Sequence, residues 1–232
     1  MAIVTGASQG IGRAIALRLA ALGATVVAAA RSENGLQILV AEIARRGGRA
    51  LACPTDVRSP AAVDALARFA LQQCGQVDIL VNNAGVGRFG VPLHLTPPEA
   101  WTATLETNLS AVYYAIRALA PHMIARASGQ IINVASLAAH NPLPNGAAYA
   151  ASKAALHQLT VSVAEELRAH RIRVSLVCPG SVDTDLSPEL VGNKNRARML
   201  RPDDVAHVVA MLVTQSEQSF VSEVLIRPTQ KP

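Results

Sequence analysis

Seven short apolar runs punctuate the chain, at residues 2–4, 25–30, 49–53, 79–82, 130–135, 173–178 and 221–227. Each reads as a strand, and the stretches between them carry helical patterns. Strands that alternate with helices predict an α/β fold with a doubly wound parallel sheet of about seven strands and helices on both faces. The helix punctuation agrees. Arg46-Gly47-Gly48 predicts a helix stop. Ser59-Pro60 predicts a cap and first turn, and Thr96-Pro97-Pro98-Glu99 a capping box with Pro inside the start. Long helices are expected over residues 101–125 and 150–170. The first carries Ala111, Val112, Ala115 and Leu119; the second carries Ala154, Leu156, Leu159, Val163 and Leu167. These predict apolar surface beyond what the sheet needs, hence self-association.

Composition narrows the core. Apolar residues make up 50% of the chain but aromatic ones only 3%. The interior must therefore be built from Ala, Val, Leu and Ile, which suits a parallel sheet buried on both faces. At 232 residues, with no linker-like stretch and no internal repeat, a single domain over 1–232 is expected. The first strand begins almost at once, which leaves no room for a signal peptide. The longest apolar runs are far too short for a membrane span. Cys53, Cys74 and Cys178 are scattered and odd in number, so they read as reduced, buried thiols of a cytoplasmic protein and not as a metal site. The net charge of +5 is spread over the chain apart from two small basic clusters, and aromatics are too few for a base-stacking platform. Nucleic acid is therefore not an expected partner.

The candidate chemistry lies at the strand ends. Thr5-Gly6-Ala7-Ser8-Gln9-Gly10-Ile11-Gly12 joins the first strand to a helix. Glycines there permit positive φ and close backbone approach, and the helix N-terminus beyond attracts phosphate. Further along stand Ser136 and then Tyr149-Ala150-Ala151-Ser152-Lys153. Tyr and Lys four apart on a helix share one face. An ammonium beside a phenol favours the phenolate and lowers a pKa that starts near about 10. Lys153 is one of only three lysines in a chain that otherwise uses arginine, and it offers a compact ammonium that can move a proton. Gly6, Arg31, Asp56, Asn82, Ser136 and Pro179 each follow or close a predicted strand. In an open α/β sheet that edge carries the ligand crevice.

In this order the motifs resemble the short-chain dehydrogenase/reductase family, in its compact single-domain branch with a Rossmann-like fold. The resemblance rests on Thr5 to Gly12, Asp56, Asn82-Asn83-Ala84-Gly85, Asn108, Ser136 with Tyr149 and Lys153, and Pro179-Gly180 followed by Thr184. It implies that Tyr149 exchanges a proton with the substrate oxygen and that Ser136 hydrogen-bonds it. Lys153 would lower the Tyr149 pKa and hold the nicotinamide ribose, and Asn108 would anchor a relay water. The same resemblance places Gly6, Ser8, Gln9, Gly10, Ile11, Gly12, Asp56, Val57, Asn83, Ala84, Gly85, Tyr149, Lys153, Pro179, Gly180, Val182 and Thr184 around the cofactor. Plainer roles stand beside these: Ser136 as a strand-end cap, Asn108 as a buried amide in a helix kink, Asp56 as a turn residue.

Cofactor choice rests on the end of the second strand. An acid there bonds the ribose 2′-OH of NAD, whereas Arg suits a 2′-phosphate. The segment reads Ala29-Ala30-Arg31-Ser32, so NADP(H) is expected over NAD, with Arg31 and Ser32 on the phosphate. The implied reaction interconverts a small carbonyl and an alcohol. Reduction of a 3-oxoacyl thioester, or NADP binding without turnover, are the competing readings. The C-terminal run lacks the Gly-rich ending of acyl-carrier-protein reductases. Arg88 and His140 fall in the loops where the family shapes its substrate pocket. The resemblance also implies a substrate-covering segment at about 185–200 and assembly as a dimer or tetramer; in this chain that segment is short and polar, and its composition predicts mobility.

Overall fold

The computed structural model describes residues 1–184, 186 and 195–232. Seven parallel strands form one sheet in the order β3-β2-β1-β4-β5-β6-β7. They are β1 (Ala2–Thr5), β2 (Thr25–Ala30), β3 (Arg49–Pro54), β4 (Ile79–Asn82), β5 (Gly129–Val134), β6 (Ile172–Pro179) and β7 (Glu223–Ile226). The chain reverses direction across the sheet between β1 and β4, which opens the crevice there. Every predicted strand is present, with its ends moved by a residue or two.

Helices α1 (Gly10–Ala21), α2 (Glu33–Arg45) and α7 (Pro202–Val213) cover one face. Helices α3 (Pro60–Cys74), α5 (Ala111–Arg126) and α6 (Ala147–Arg168) cover the other. The pleat sorts side chains between the two layers. Ile3, Leu80 and Ile131 join the α3/α5/α6 core, while Val4, Val81 and Ile132 join the α1/α2/α7 core. The apolar faces expected to mark an interface are mostly core. Ala111, Val112, Ala115, Leu119, Leu156, Val163 and Leu167 are buried within the chain; Leu159 is half-buried and Ala154 exposed. The large apolar residues that α5 and α6 leave exposed are Tyr113 and Val161. Spacing alone could not tell a second apolar face from the wide face of a helix sunk into the sheet.

The stop at Gly47 and the Ser59 cap are as predicted: Gly47 has φ +79°, and Ser59 Oγ accepts the Ala62 N–H at 3.2 Å. The capping box at Thr96 is absent. Pro97 is the N-cap of α4 (Pro98–Leu105), and the Thr96 hydroxyl donates instead to the Pro92 carbonyl at 3.2 Å. The expected helix over 101–125 is interrupted by a π turn, Glu106–Ser110, between α4 and α5. Of the three cysteines, only Cys178 is buried; Cys53 and Cys74 are half-buried. Within the expected covering segment, residues 185 and 187–194 lie outside the described residues. Asn195 caps a short turn, Arg196–Arg198, and Leu200 bridges to Val182. No helix among the described residues is long and apolar enough to cross a membrane.

The crevice is held by one dense junction. Thr5 Oγ1 accepts the N–H groups of Asn83 and Ala84 at 3.0 and 3.1 Å, and Asn83 Nδ2 donates to the Thr5 carbonyl at 3.0 Å. Gly6 has φ +66°, and a Cβ there would lie 2.9 Å from Ala84 Cα. A Cβ on Gly12 would collide with the Gly6 carbonyl and the Asn83 amide. Gly12→Ala is therefore expected to destabilise the protein by about 1–3 kcal/mol, the usual range for overpacking a tight site. Chemical denaturation measures this, and an unchanged midpoint would show that the junction relaxes freely.

Candidate active site

Ser136 leaves β5 in extended backbone and opens a short 3-10 turn, where its Oγ accepts the Ala138 N–H at 3.1 Å. Tyr149 and Lys153 come one turn apart from the first two turns of α6. Ser136 lies beside the Tyr149 hydroxyl as a hydrogen-bond partner. Both line a cavity of about 580 Å³. Ile11, Pro179, Gly180, Val182 and Thr184 also line it. Thr184 approaches the Gly turn closely: a Cβ on Gly10 would lie 3.3 Å from Thr184 Cγ2.

Lys153 sits behind this wall, 4% exposed, with Nζ donating to the Val134 carbonyl at 2.9 Å. Nζ is 5.7 Å from the Tyr149 ring centroid. Burial brings the Lys153 pKa down to about 8. Tyr149 moves the other way. Burial raises its pKa and outweighs the lowering by Ser136, so the phenol is neutral at neutral pH. Spacing placed Lys153 on the correct face, but desolvation dominates the phenol, a term that depends on depth and is invisible to spacing.

Asn108 lies in the π turn, 1% exposed. Its Oδ1 accepts the Val86 N–H at 2.8 Å, and its Nδ2 donates to the Val86 carbonyl at 2.8 Å and to Ser152 Oγ at 2.9 Å. The Ser152 hydroxyl in turn donates to the Tyr149 carbonyl at 2.7 Å. The amide thus clamps the loop after β4 to the first turn of α6. A Cβ on Gly85 would stand 3.4 Å from Asn108 Oδ1 and 3.7 Å from Lys153 Nζ, so the loop glycine closes the same pocket.

The remaining predicted residues occupy the other half of the edge. Gln9 is the exposed N-cap of α1, and Ser8 faces Gly35 of α2. Asn83 and Ala84 form the junction with Thr5, and Val57 is buried after β3. Arg31 and Ser32 are exposed at the end of β2. Ser32 Oγ accepts the Gly35 N–H at 3.2 Å, which leaves its own proton to donate. Asp56 takes its hydrogen bonds from Arg58, at 3.0 Å from the backbone N–H and 2.6 Å from Nη2. Those bonds from Arg58, with the charges of Arg58 and Arg31, outweigh burial and hold its pKa at about 2. The plainer roles therefore exist in the fold: Ser136 caps, Asn108 fills the helix kink and Asp56 braces a turn.

Several wall residues had no signal in the sequence. Phe89 stacks edge-on against Tyr149 with centroids 5.0 Å apart. Leu143 and the tail Arg227, Pro228, Thr229, Gln230, Lys231 and Pro232 also line the cavity. Only the aromatic beside Arg88 could have been found, as a rare residue in a pocket loop. Arg88 itself is exposed and outside the wall. His140 turns away from the cavity and pairs with Glu223 at 2.6 Å.

An open parallel sheet with a glycine turn at its switch point and a Ser-Tyr-Lys set at its carboxyl edge, its Tyr and Lys buried, defines a Rossmann-like oxidoreductase. The short chain dehydrogenase family profile matches residues 1–195. The chain belongs to the short-chain dehydrogenase/reductase family and is an oxidoreductase of that family. It is 37% identical to 2,3-dihydro-2,3-dihydroxybenzoate dehydrogenase of Bacillus subtilis, covering 92% of this chain and 88% of that one. A metagenomic short-chain oxidoreductase in complex with NADP superposes with a TM-score of 0.88 at 50% identity, covering 99% of this chain and 97% of that one. The 3-ketoacyl-(acyl-carrier-protein) reductase of Brucella melitensis complexed with NADH gives a TM-score of 0.90 at 34% identity over 98% and 96% of the two chains.

The depressed Lys153 pKa has a thermodynamic consequence. Between about 8 and 10.5 the folded chain holds Lys153 neutral while the unfolded chain still binds the proton. Stability from this group therefore rises with pH across that window and is flat below it. Tyr149 and Cys178 titrate in the opposite sense at alkaline pH, so the comparison with Lys153→Met isolates the effect. The stability of wild type relative to Lys153→Met should increase from pH 8 to 10.5, by a few kcal/mol at most at about 1.36 kcal/mol per pH unit. Urea unfolding at each pH checks it; a constant difference would mean Lys153 keeps an ordinary pKa.

Proposed function

We propose that this oxidoreductase is NADP(H)-dependent and interconverts a carbonyl and an alcohol on a small molecule. The observation that carries the reading is the pairing of Ser136 and neutral Tyr149 on the cavity wall, with the buried Lys153 behind them. A bound nicotinamide supplies the hydride for the carbonyl carbon. Tyr149 gives its phenolic proton to the carbonyl oxygen as the C–H bond forms, and takes it back in alcohol oxidation. Its raised pKa keeps that proton in place at neutral pH. Ser136 donates a hydrogen bond to the same oxygen. Lys153, held by Val134, supports the charge left on the phenol. Asn108 is a positioning residue that acts on Tyr149 through Ser152.

The residues present fit a dinucleotide. The Gly turn has no room for side chains at Gly6 or Gly12 and brings backbone to the N-terminus of α1. Arg31 is exposed and acts on Asp56 through charge, while Arg58 supplies the hydrogen bonds to Asp56. That leaves the Arg31 fork for a 2′-phosphate, beside the free Ser32 proton. The NADP complex of the metagenomic relative supports this choice; the NADH complex of the Brucella reductase marks NAD as the competitor. The same reductase favours a second reading, reduction of a 3-oxoacyl thioester by identical chemistry. Assay of simple ketones and of an acetoacetyl thioester against NADPH oxidation separates the two.

Tyr149→Phe should lower turnover on any accepted substrate by about 10²–10⁴-fold and leave NADPH binding nearly unchanged. Wild-type turnover in that variant would remove Tyr149 from the chemistry. Titration of both cofactors should show NADPH preferred, with the preference reduced roughly tenfold to a hundredfold in Arg31→Ala. Equal affinity for NADH and NADPH in the wild type would end the 2′-phosphate assignment.

A further inference from the structure

Behind the Ser136 turn, on the side away from the cavity, four metal-ligating groups converge from four elements. His140 follows the 3-10 turn after β5, His157 stands one turn beyond Lys153 on α6, Cys178 is near the end of β6, and Glu223 opens β7. His140 Nε2 lies 2.6 Å from Glu223 Oε1, and His157 Nε2 lies 3.6 Å from Glu223 Oε2. The ligand atoms of these three fall within 4.8 Å of one another. Cys178 Sγ lies 3.4 Å from Glu223 Oε1 and 3.9 Å from His140 Nε2. We propose that His140, His157, Cys178 and Glu223 form a four-ligand site for a divalent transition metal of the zinc class.

The geometry supports a single ion. Ligand bonds of about 2.0–2.3 Å in a tetrahedron put ligand atoms roughly 3.4–3.6 Å apart. Of the six separations a tetrahedron requires, Cys178–Glu223 at 3.4 Å and His157–Glu223 at 3.6 Å lie in that range and His140–Cys178 at 3.9 Å exceeds it slightly; Cys178 stands outside the 4.8 Å group of His140, His157 and Glu223, so its sulfur must approach His157 as the ion binds. The short His140–Glu223 contact is a hydrogen bond, and it opens by somewhat under about 1 Å when a cation takes the place of the shared proton. Charge also balances. A dication faces one carboxylate and one thiolate, with two neutral imidazoles. The thiol proton of Cys178 leaves to solvent as the metal–sulfur bond forms. Access is asymmetric: the His140, His157 and Glu223 side chains are 31%, 27% and 28% exposed, while Cys178 is fully buried behind them. A hydrated ion meets the exposed donors first and loses its last water to the sulfur. None of the four residues lines the reaction cavity, but Cys178 lies close enough to act by charge on Tyr149 and Lys153. The ion would tie the Ser136 turn, α6, β6 and β7 together at one point.

The test uses untagged, chelator-dialysed full chain, titrated with Co²⁺ as the optical probe and then with Zn²⁺. One Co²⁺ per chain is expected, with a sulfur-to-cobalt charge-transfer band that Zn²⁺ abolishes by displacement. Cys178→Ser should lose the band. His157→Gln should weaken binding by about 100-fold or more, since even outer-shell changes cost about 10–100-fold. His140→Gln, at the most exposed position, is the second variant if His157→Gln fails to fold as judged by circular dichroism. Absence of saturable binding below millimolar Co²⁺, or a band that survives in Cys178→Ser, would overturn the site.

Discussion

Thr5 and Asn83 set the relation between the two halves of this molecule. The Thr5 hydroxyl takes two backbone N–H groups from the loop after β4, and the Asn83 amide returns a hydrogen bond to the Thr5 carbonyl. These groups sit where the sheet changes direction, so every later strand is placed relative to the glycine turn through them. The tightness of the junction explains the glycines on either side. A single methyl group at Gly12 would strike both the Gly6 carbonyl and the Asn83 amide. The loop held in this way then reaches Asn108 through Val86, and Asn108 reaches Tyr149 through Ser152. Tyr149 is thus located by a chain of short polar contacts that begins at the end of β1.

Polar groups deep in the sheet extend the same scheme. Asn82 donates to Asn133 at 2.9 Å, and Asn133 donates to Thr160 at 2.9 Å, which joins β4 and β5 to α6. No buried side-chain nitrogen or oxygen among the described residues lacks a partner. Satisfied polar groups in a dry interior specify one arrangement, because any shift of register would leave several of them unpaired. Lys153 belongs to this category. Its ammonium is buried against a carbonyl and its pKa falls to about 8, so the site carries its cation at a desolvation cost that the surrounding sheet sustains.

The number of strands and the placement of chemistry at their carboxyl ends were legible from the sequence because both depend on periodicity. Seven apolar runs gave seven strands, and Gly6, Arg31, Asp56, Asn82, Ser136 and Pro179 stand at their carboxyl ends. The failures have physical causes. The π turn at Glu106–Ser110 brings Asn108 to Val86, and the uninterrupted helix expected over 101–125 missed it, although the plainer reading of Asn108 as a buried amide in a helix kink did not. The Thr96 capping box lost to a local competitor, since that hydroxyl bonds backward to Pro92, four residues earlier. Apolar residues on α5 and α6 were spread widely because the helices sink far into the sheet, a matter of depth that spacing does not encode. The direction of the Tyr149 shift was misread for the same reason. His140 and Glu223 lie 83 residues apart and could not be paired without the β6–β7 register.

The stretch from Arg227 to Pro232 forms one wall of the cavity, yet it lies past the last strand and takes no part in the sheet. Strand residues are constrained twice, by the partner on each side and by the helix above. This wall is constrained by neither. Substitutions or changes of length there can alter the shape and charge offered to a ligand while the sheet, the junction and the Ser-Tyr-Lys set stay as they are. The surface offered to a ligand and the scaffold that holds it are therefore separable here, since residues 227–232 shape the first without belonging to the sheet.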